Sequence, residues 1–249
     1  MAINKDSNRY TIIFSIAMVV IVGIGLSVLS VTLKPYISRN KEIEKKQNIL
    51  FVMGVKSSED PEFPVGREEV DELYGKFIGD RQFLIVGDSV IQSSDAFEVD
   101  LRKELRIAAV NTDYQTRLPF FVGENEGKTF YIFPVQGKGL WGNIWGHVSL
   151  QENLDRLGGV VFDHEKETAG LGANMTAPFF RDDFTDERIL DENGNYQGIT
   201  VKKGNGDPLN TDKNDGEIDA MAGATITSSG ISTMLHKGIQ LYLPYLRSL

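Results

Sequence analysis

An α+β fold behind a single N-terminal helix is predicted, and three observations predict it. Residues 11–33 form an uncharged apolar run. From residue 116 onward, apolar and polar positions alternate between turn residues. The C-terminal segment carries Ile231, Met234, Leu235, Ile239 and Tyr242 at helical spacing. The expected order is a tail over 1–10, a transmembrane helix over 11–33, a helical and mixed spacer over 34–114, and a domain of antiparallel sheet with flanking helices over 115–249.

The first element follows from length. At about 1.5 Å of rise per residue the apolar run spans roughly 34 Å, enough for a hydrocarbon core of about 30 Å. It is too long for the apolar part of a cleaved signal, and it leads into Lys34-Pro35-Tyr36 with no small-residue cleavage site. Lys5 and Arg9 precede it, whereas Lys34, Arg39, Lys41, Lys45 and Lys46 follow it, a count that keeps the C-terminal side in the cytoplasm. Long domains translocate largely regardless of such charges, so the count alone leaves the orientation open.

Residues 37–55 mix charge with Ile43, Ile49, Leu50 and Phe51, which predicts an amphipathic helix ending near Gly54. Beyond it the pattern predicts a helix over 68–77, a strand over 82–91 and a helix over 97–106. Strands are expected over 118–121, 129–135, 144–150 and 159–164, and a short helix over 177–184. Two strand-like pieces flank the Asn193-Gly194-Asn195 turn, a polar loop covers 204–217, and the last helix is expected to begin near Ser228 with Thr227 or Ser228 as its cap.

Composition excludes several function classes. A net charge of −9 and a pI near 4.9 oppose nucleic-acid binding. The chain has no cysteine, so a lipid-modified cysteine anchor, a disulfide, a thiolate nucleophile and a cysteine-ligated iron–sulfur cluster are all ruled out. The segment Gly123 to Thr129 is one residue short of a P-loop and sits between strand-like runs. His164-Glu165 lacks the second His of a zincin helix. The acids from Asp207 to Asp219 miss calcium-loop spacing and read as a solvated surface.

Chemistry concentrates in Asp219-Ala220-Met221-Ala222-Gly223-Ala224-Thr225-Ile226-Thr227-Ser228, which sets hydroxyls on a nearly bulk-free backbone just before an apolar-periodic segment. A phosphate here would be favoured by free N–H groups and the positive end of the helix dipole. On spacing alone, an ordinary loop entering a Thr- or Ser-capped helix is the better account. Gly137-Lys138-Gly139-Leu140-Trp141-Gly142 reads alone as a hairpin loop with a packed Trp, and Glu167-Thr168-Ala169-Gly170-Leu171-Gly172 as a glycine-rich turn.

Together, in this order, the three segments resemble the motifs of the FMN-binding domain family. The Asp219–Thr225 stretch resembles its flavinylation motif, with Ala220 where Gly is usual and Ala222 where Ser or Thr is usual. The second segment matches the family's Gly-x-Gly-Leu-Trp in full. The third resembles Glu-Thr-Pro-Gly-Leu-Gly with Ala169 in place of Pro. The resemblance covers roughly residues 115–235.

It implies FMN held covalently through a phosphoester on Thr225, Gly223 and Ala224 beside the acceptor, Asp219 read by a flavin transferase during maturation, and a non-covalent pocket of Trp141, Thr168, Leu171 and Gly172. It also implies an electron-relay subunit in a sodium-translocating NADH:quinone oxidoreductase complex of the bacterial inner membrane. The flavin domain would be periplasmic, against the charge count, and other subunits of the complex would be partners. The alternatives are a subunit of an Rnf-type electron-transport complex, an assembly subunit with an unused flavin site, and an independent anchored flavin reductase.

Overall fold

A computed structural model describes residues 7–57, 64–207 and 209–249. Lys5, most of the expected tail, part of the spacer and one position of the polar loop lie outside the described residues. The chain divides into two units, residues 1–45 and residues 46–249.

The first unit is the bulk of α1 (Asn8–Val52), a helix long and apolar enough to cross a membrane. Its apolar side chains over 12–33 are exposed, as a lipid-facing surface requires. The break expected after residue 33 does not occur, and α1 continues through Pro35 into the segment read as a separate amphipathic helix. The last turns of α1 belong to the second unit, where Ile49, Leu50, Val52 and Met53 are buried. There the Ser149 hydroxyl donates to the Val52 carbonyl, and Asn125 Nδ2 donates to the Met53 carbonyl at 3.1 Å.

The second unit is built on a six-stranded antiparallel sheet of β1 (Gln82–Val86), β2 (Ser89–Gln92), β3 (Arg117–Asn125), β4 (Lys128–Lys138), β5 (Asn143–Gln151) and β6 (Leu157–His164), in the order β2-β1-β3-β4-β5-β6. The single strand expected over 82–91 is a hairpin, because Gly87 takes a left-handed φ of 59° and reverses the chain. Two strands from before residue 115 thus complete the sheet. Helices α2 (Val70–Phe77) and α3 (Leu101–Ala108) accompany it, with a 3₁₀ turn over Ser94–Phe97 ahead of α3. Asp100 caps α3 by accepting the Lys103 N–H at 3.2 Å.

Both faces of the sheet are covered, which explains why neighbouring strand residues such as Phe120 and Phe121, or Ile132 and Phe133, are all buried. Phe120, Phe133 and Val135 join the core cluster under α5 (Thr225–Leu246), the long C-terminal helix. Tyr242 stacks on Phe133 at 4.4 Å. Gly137 lies under Met234, and Gly230 meets the Lys138 backbone so closely that a Cβ there would collide with its carbonyl oxygen. Gly230→Ala is therefore expected to push α5 off β4 and lower stability by about 1–3 kcal/mol, read as a drop in the urea midpoint.

Past β6 a 3₁₀ turn (Gly172–Thr176) comes first, and the helix expected over 177–184 is α4 (Pro178–Arg181) followed by a second 3₁₀ turn (Asp182–Phe184). The strand-like pieces around Asn193-Gly194-Asn195 meet only as a Leu190–Tyr196 bridge, and β7 (Thr200–Lys202) pairs in parallel with β8 (Glu217–Asp219). The polar loop between them is pinned as well as solvated. Buried Glu187 accepts the Gly216 N–H at 3.0 Å and Asn210 Nδ2 at 3.2 Å.

One buried acid gives the domain a pH dependence. Glu104, 2% exposed, accepts Arg117 Nη2 at 2.6 Å and the Tyr114 hydroxyl at 2.7 Å. Burial opposes its charge, but the bonds from Arg117 and Tyr114 outweigh it and hold the carboxyl below the usual carboxylate range. A pKa lowered by folding stabilises the fold above the unfolded carboxyl's pKa, and that contribution is lost as pH falls through the folded value. Glu104→Gln is expected to cost about 2 kcal/mol at pH 7 and progressively less as the pH is lowered through the folded carboxyl's titration, measured by urea unfolding across that range.

Candidate functional site

The site forms where three loops meet the first turn of α5. The helix begins at Thr225, three residues before the expected start, and its N-cap is Ala224 with no side-chain cap. Thr227 and Ser228 are therefore inside the helix and do not cap it. The physical reason is a competing partner: the Thr227 hydroxyl is drawn to a carboxylate from another segment. The first helical hydrogen bond runs from the Ser228 N–H to the Ala224 carbonyl at 2.9 Å. The amides of Thr225, Ile226 and Thr227 are thus without an intrahelical acceptor.

Thr225 is exposed at this end, as are Ala222 and Gly223, while Ala224 is buried. Gly223 takes φ of 73°, a conformation that a residue with a Cβ adopts only under strain, and it turns the chain into the helix. Leu171 lies directly over it, since a Cβ at Gly223 would stand 2.8 Å from Leu171 Cδ2. The hydroxyl-bearing turn and the Glu167–Gly172 loop are thereby packed together.

Glu167 fastens two of the loops, its own and the one that carries Trp141, to the first turn of α5. Its side chain is 7% exposed; Oε2 accepts the Thr227 hydroxyl at 2.6 Å and Oε1 accepts the Trp141 N–H at 2.9 Å. Its own N–H donates to His164 Nδ1 at 3.2 Å. The carboxylate fits because two neighbours lack side chains. A Cβ at Gly139 or at Gly172 would stand 2.5 Å from one of its oxygens.

The remaining groups are placed by this frame. The Gly139 N–H donates to the Gly142 carbonyl at 2.9 Å, closing a turn with Leu140 and Trp141 at its tip. Trp141 is 63% exposed, Leu171 41% and Ile226 59%, so three apolar side chains stand open around an exposed threonine. The Thr168 carbonyl accepts the N–H groups of Leu171 and Ala173, both at 3.1 Å, which shapes the loop while its side chain stays exposed. Gly172 is buried against Glu167 and Thr227. Asp219, at the end of β8, has a separate set of contacts and accepts the Asn205 N–H at 3.4 Å.

These residues fit a flavin mononucleotide. An exposed hydroxyl with unpaired amides suits a phosphate, and exposed Trp141 and Leu171 suit a flat, largely apolar ring. Glu167 opens one of the three motifs and Thr227 lies in another, yet no spacing rule marks the bond between them, which joins residues 60 positions apart.

Residues 139–240 match the family described as FMN-binding domain. The C-type subunit of the Na(+)-translocating NADH-quinone reductase of Haemophilus ducreyi is 28% identical over 240 residues, covering 92% of this chain and 88% of that protein. Its counterpart from Neisseria meningitidis serogroup B is 28% identical over 261 residues, covering 99% and 96%. The crystal structure of the corresponding protein from Parabacteroides distasonis superposes with a TM-score of 0.70 at 28% identity, covering 86% of this chain and 96% of that one. That of Shewanella oneidensis NqrC shares the fold, with a TM-score of 0.65 at 22% identity over 84% and 100% of the two chains. Residues 139–240 are thus similar to an FMN-binding domain, and over nearly its whole length the chain is similar to the C-type subunits of Na(+)-translocating NADH-quinone reductases.

Proposed function

We propose that this chain is the flavin-bearing electron-relay subunit of a sodium-translocating NADH:quinone oxidoreductase complex, with FMN joined to Thr225 through a phosphoester. The observation that carries the reading is the exposed Thr225 at the uncapped start of a long helix, preceded by small residues and flanked by the two loops that Glu167 fastens. The names of the relatives supply the complex.

Bound FMN supplies the capacity to take up and release electrons, and the protein positions and tunes it. Thr225 Oγ would hold the flavin phosphate as an ester, made when a flavin transferase breaks the phosphoanhydride of an activated flavin dinucleotide, the other nucleoside monophosphate leaving and the hydroxyl proton passing to solvent. The N–H groups that open α5 stabilise the phosphate charge. Trp141 and Leu171 shield the ring from water, Thr168 and Gly172 shape the loop that carries Leu171, and Asp219 belongs to the segment the transferase reads. A tethered cofactor cannot diffuse away, which suits a relay between fixed neighbours. α1 anchors the subunit in the inner membrane with the flavin domain on the periplasmic side. Residues 115–249 carry the flavin, and the segment over 34–114 docks on partner subunits.

The test is the assembled complex. With this subunit produced in the absence of flavin transferase, assembly is expected to persist while NADH:quinone reduction falls at least 100-fold. Unchanged turnover would sink the relay role. Orientation is read from protease added to intact spheroplasts, which is expected to cleave the domain, whereas protection would place it in the cytoplasm.

A further inference from the structure

Beside the candidate flavin site, a groove of about 760 Å³ opens between α3 and α5, floored by the end of β4. Its charge runs against that of the molecule. In a chain of net charge −9, this groove is lined by Arg102, Arg106, Lys138 and Lys237, and by no acidic side chain among the described residues. All four cations are exposed. Arg102 and Arg106 sit one turn apart on α3 and so share a face. Glu165, whose ionised form is favoured first by its bonds to Asn143 and, less, by Arg102, has its carboxylate engaged by Asn143 Nδ2 at 2.7 Å.

We propose that this groove is the docking site for an acidic polypeptide segment of a neighbouring redox subunit. This deepens the relay reading above and rests on it. Three features select the occupant. From Ile226 to Lys237 the groove follows α5 for about 16 Å, the length of an extended peptide of about five residues and far longer than one phosphate. Its cations come from three separate elements and alternate with apolar Leu105 and Ile226, a pattern that matches acids interspersed with apolar side chains. The lining holds no aromatic platform for a nucleotide base. Position supplies the purpose: Lys138 and Asn143 flank the Trp141 loop, and Ile226 follows Thr225 directly. A partner held here lies against the flavin loops, and opposite charge speeds and orients its approach.

The experiment uses the full chain in detergent, with a fluorescein-labelled ten-residue peptide of alternating Glu and Leu as probe, read by anisotropy at 25 and 200 mM NaCl. Binding is expected to weaken at least tenfold between the two salt concentrations. Arg102→Glu/Arg106→Glu should weaken it at least tenfold at low salt, as should the independent pair Lys138→Glu/Lys237→Glu. Lys128→Glu, on the distant hairpin turn, should change it less than twofold. Equal binding by wild type and both double variants would overturn the proposal. So would displacement of the peptide by equimolar ATP, which would make the groove a nucleotide site. In the assembled complex, a photo-crosslinker at position 237 should join a partner segment rich in Asp and Glu, and an adduct on a neutral or basic segment would also overturn it. Intact mass of the same sample separates the two readings. Covalent FMN with unselective peptide binding defeats the groove alone, and selective binding without covalent FMN defeats the flavin reading alone.

Discussion

Thr225→Ala is expected to abolish covalent flavin while leaving the fold intact. Co-expressed with a flavin transferase and run on a denaturing gel under ultraviolet light, the wild type should fluoresce and the variant should not, a loss of at least 100-fold. The fold should survive because the Thr225 side chain is exposed and caps nothing, and Ala is the stronger helix former. The variant's melting temperature should therefore stay within about 2 °C of the wild type without flavin. Thr227 is the internal control. It lies two residues away with the same hydroxyl, yet it is buried and engaged by Glu167. Fluorescence retained by Thr225→Ala would remove Thr225 as the acceptor.

Glu167→Ala is expected to produce the largest loss of site architecture. Its carboxylate accepts bonds from the Thr227 hydroxyl and the Trp141 amide in a buried setting, and bonds to a charged acceptor are each worth about 1.5–3 kcal/mol. Removing it leaves both donors unpaired beside a cavity ringed by Gly139 and Gly172. We expect a cost of about 2–4 kcal/mol, a melting temperature lower by roughly 5–15 °C, and slower flavin attachment because Trp141 and Leu171 lose their fixed placement. Glu167→Gln retains the shape and one strong acceptor, so it should recover most of the stability. A Glu167→Ala protein with unchanged melting temperature and flavin attachment would show that the two loops and the first turn of α5 hold their positions without this residue.

Much of the fold was legible because its signals are local. The uncharged run over 11–33 and the strands from β3 to β6, apolar-rich runs between turn residues, each announce themselves within a few residues. The misreadings arose at residues whose local preference points to the start or end of an element. Pro35 looked like a boundary, yet α1 runs through it. Thr227 and Ser228 looked like caps, yet Thr227 pairs with a carboxylate 60 residues away and the helix starts earlier. The hairpin at Gly87 was hidden because its two strands together have the length of one. At the site, the three segments are readable as motifs because small residues cluster where backbones approach closely. Glu167 was in view as the first residue of its motif, but its fastening role was not readable, since that role exists only once Gly139 and Gly172 are brought to either side of the carboxylate. The cationic groove is hidden for the same reason, because Arg102, Lys138 and Lys237 are separated in sequence and converge only in the fold.

The central claim is a covalent flavin on one named hydroxyl, and the most direct measurement is the intact mass of the wild-type chain co-expressed with a flavin transferase, followed by fragment mapping of the peptide that contains Thr225. The account requires an added mass of one FMN less one water, confined to Thr225. An unmodified mass, under conditions that flavinylate a proven member of the family, would contradict it and leave the exposed threonine as an ordinary residue at a helix start.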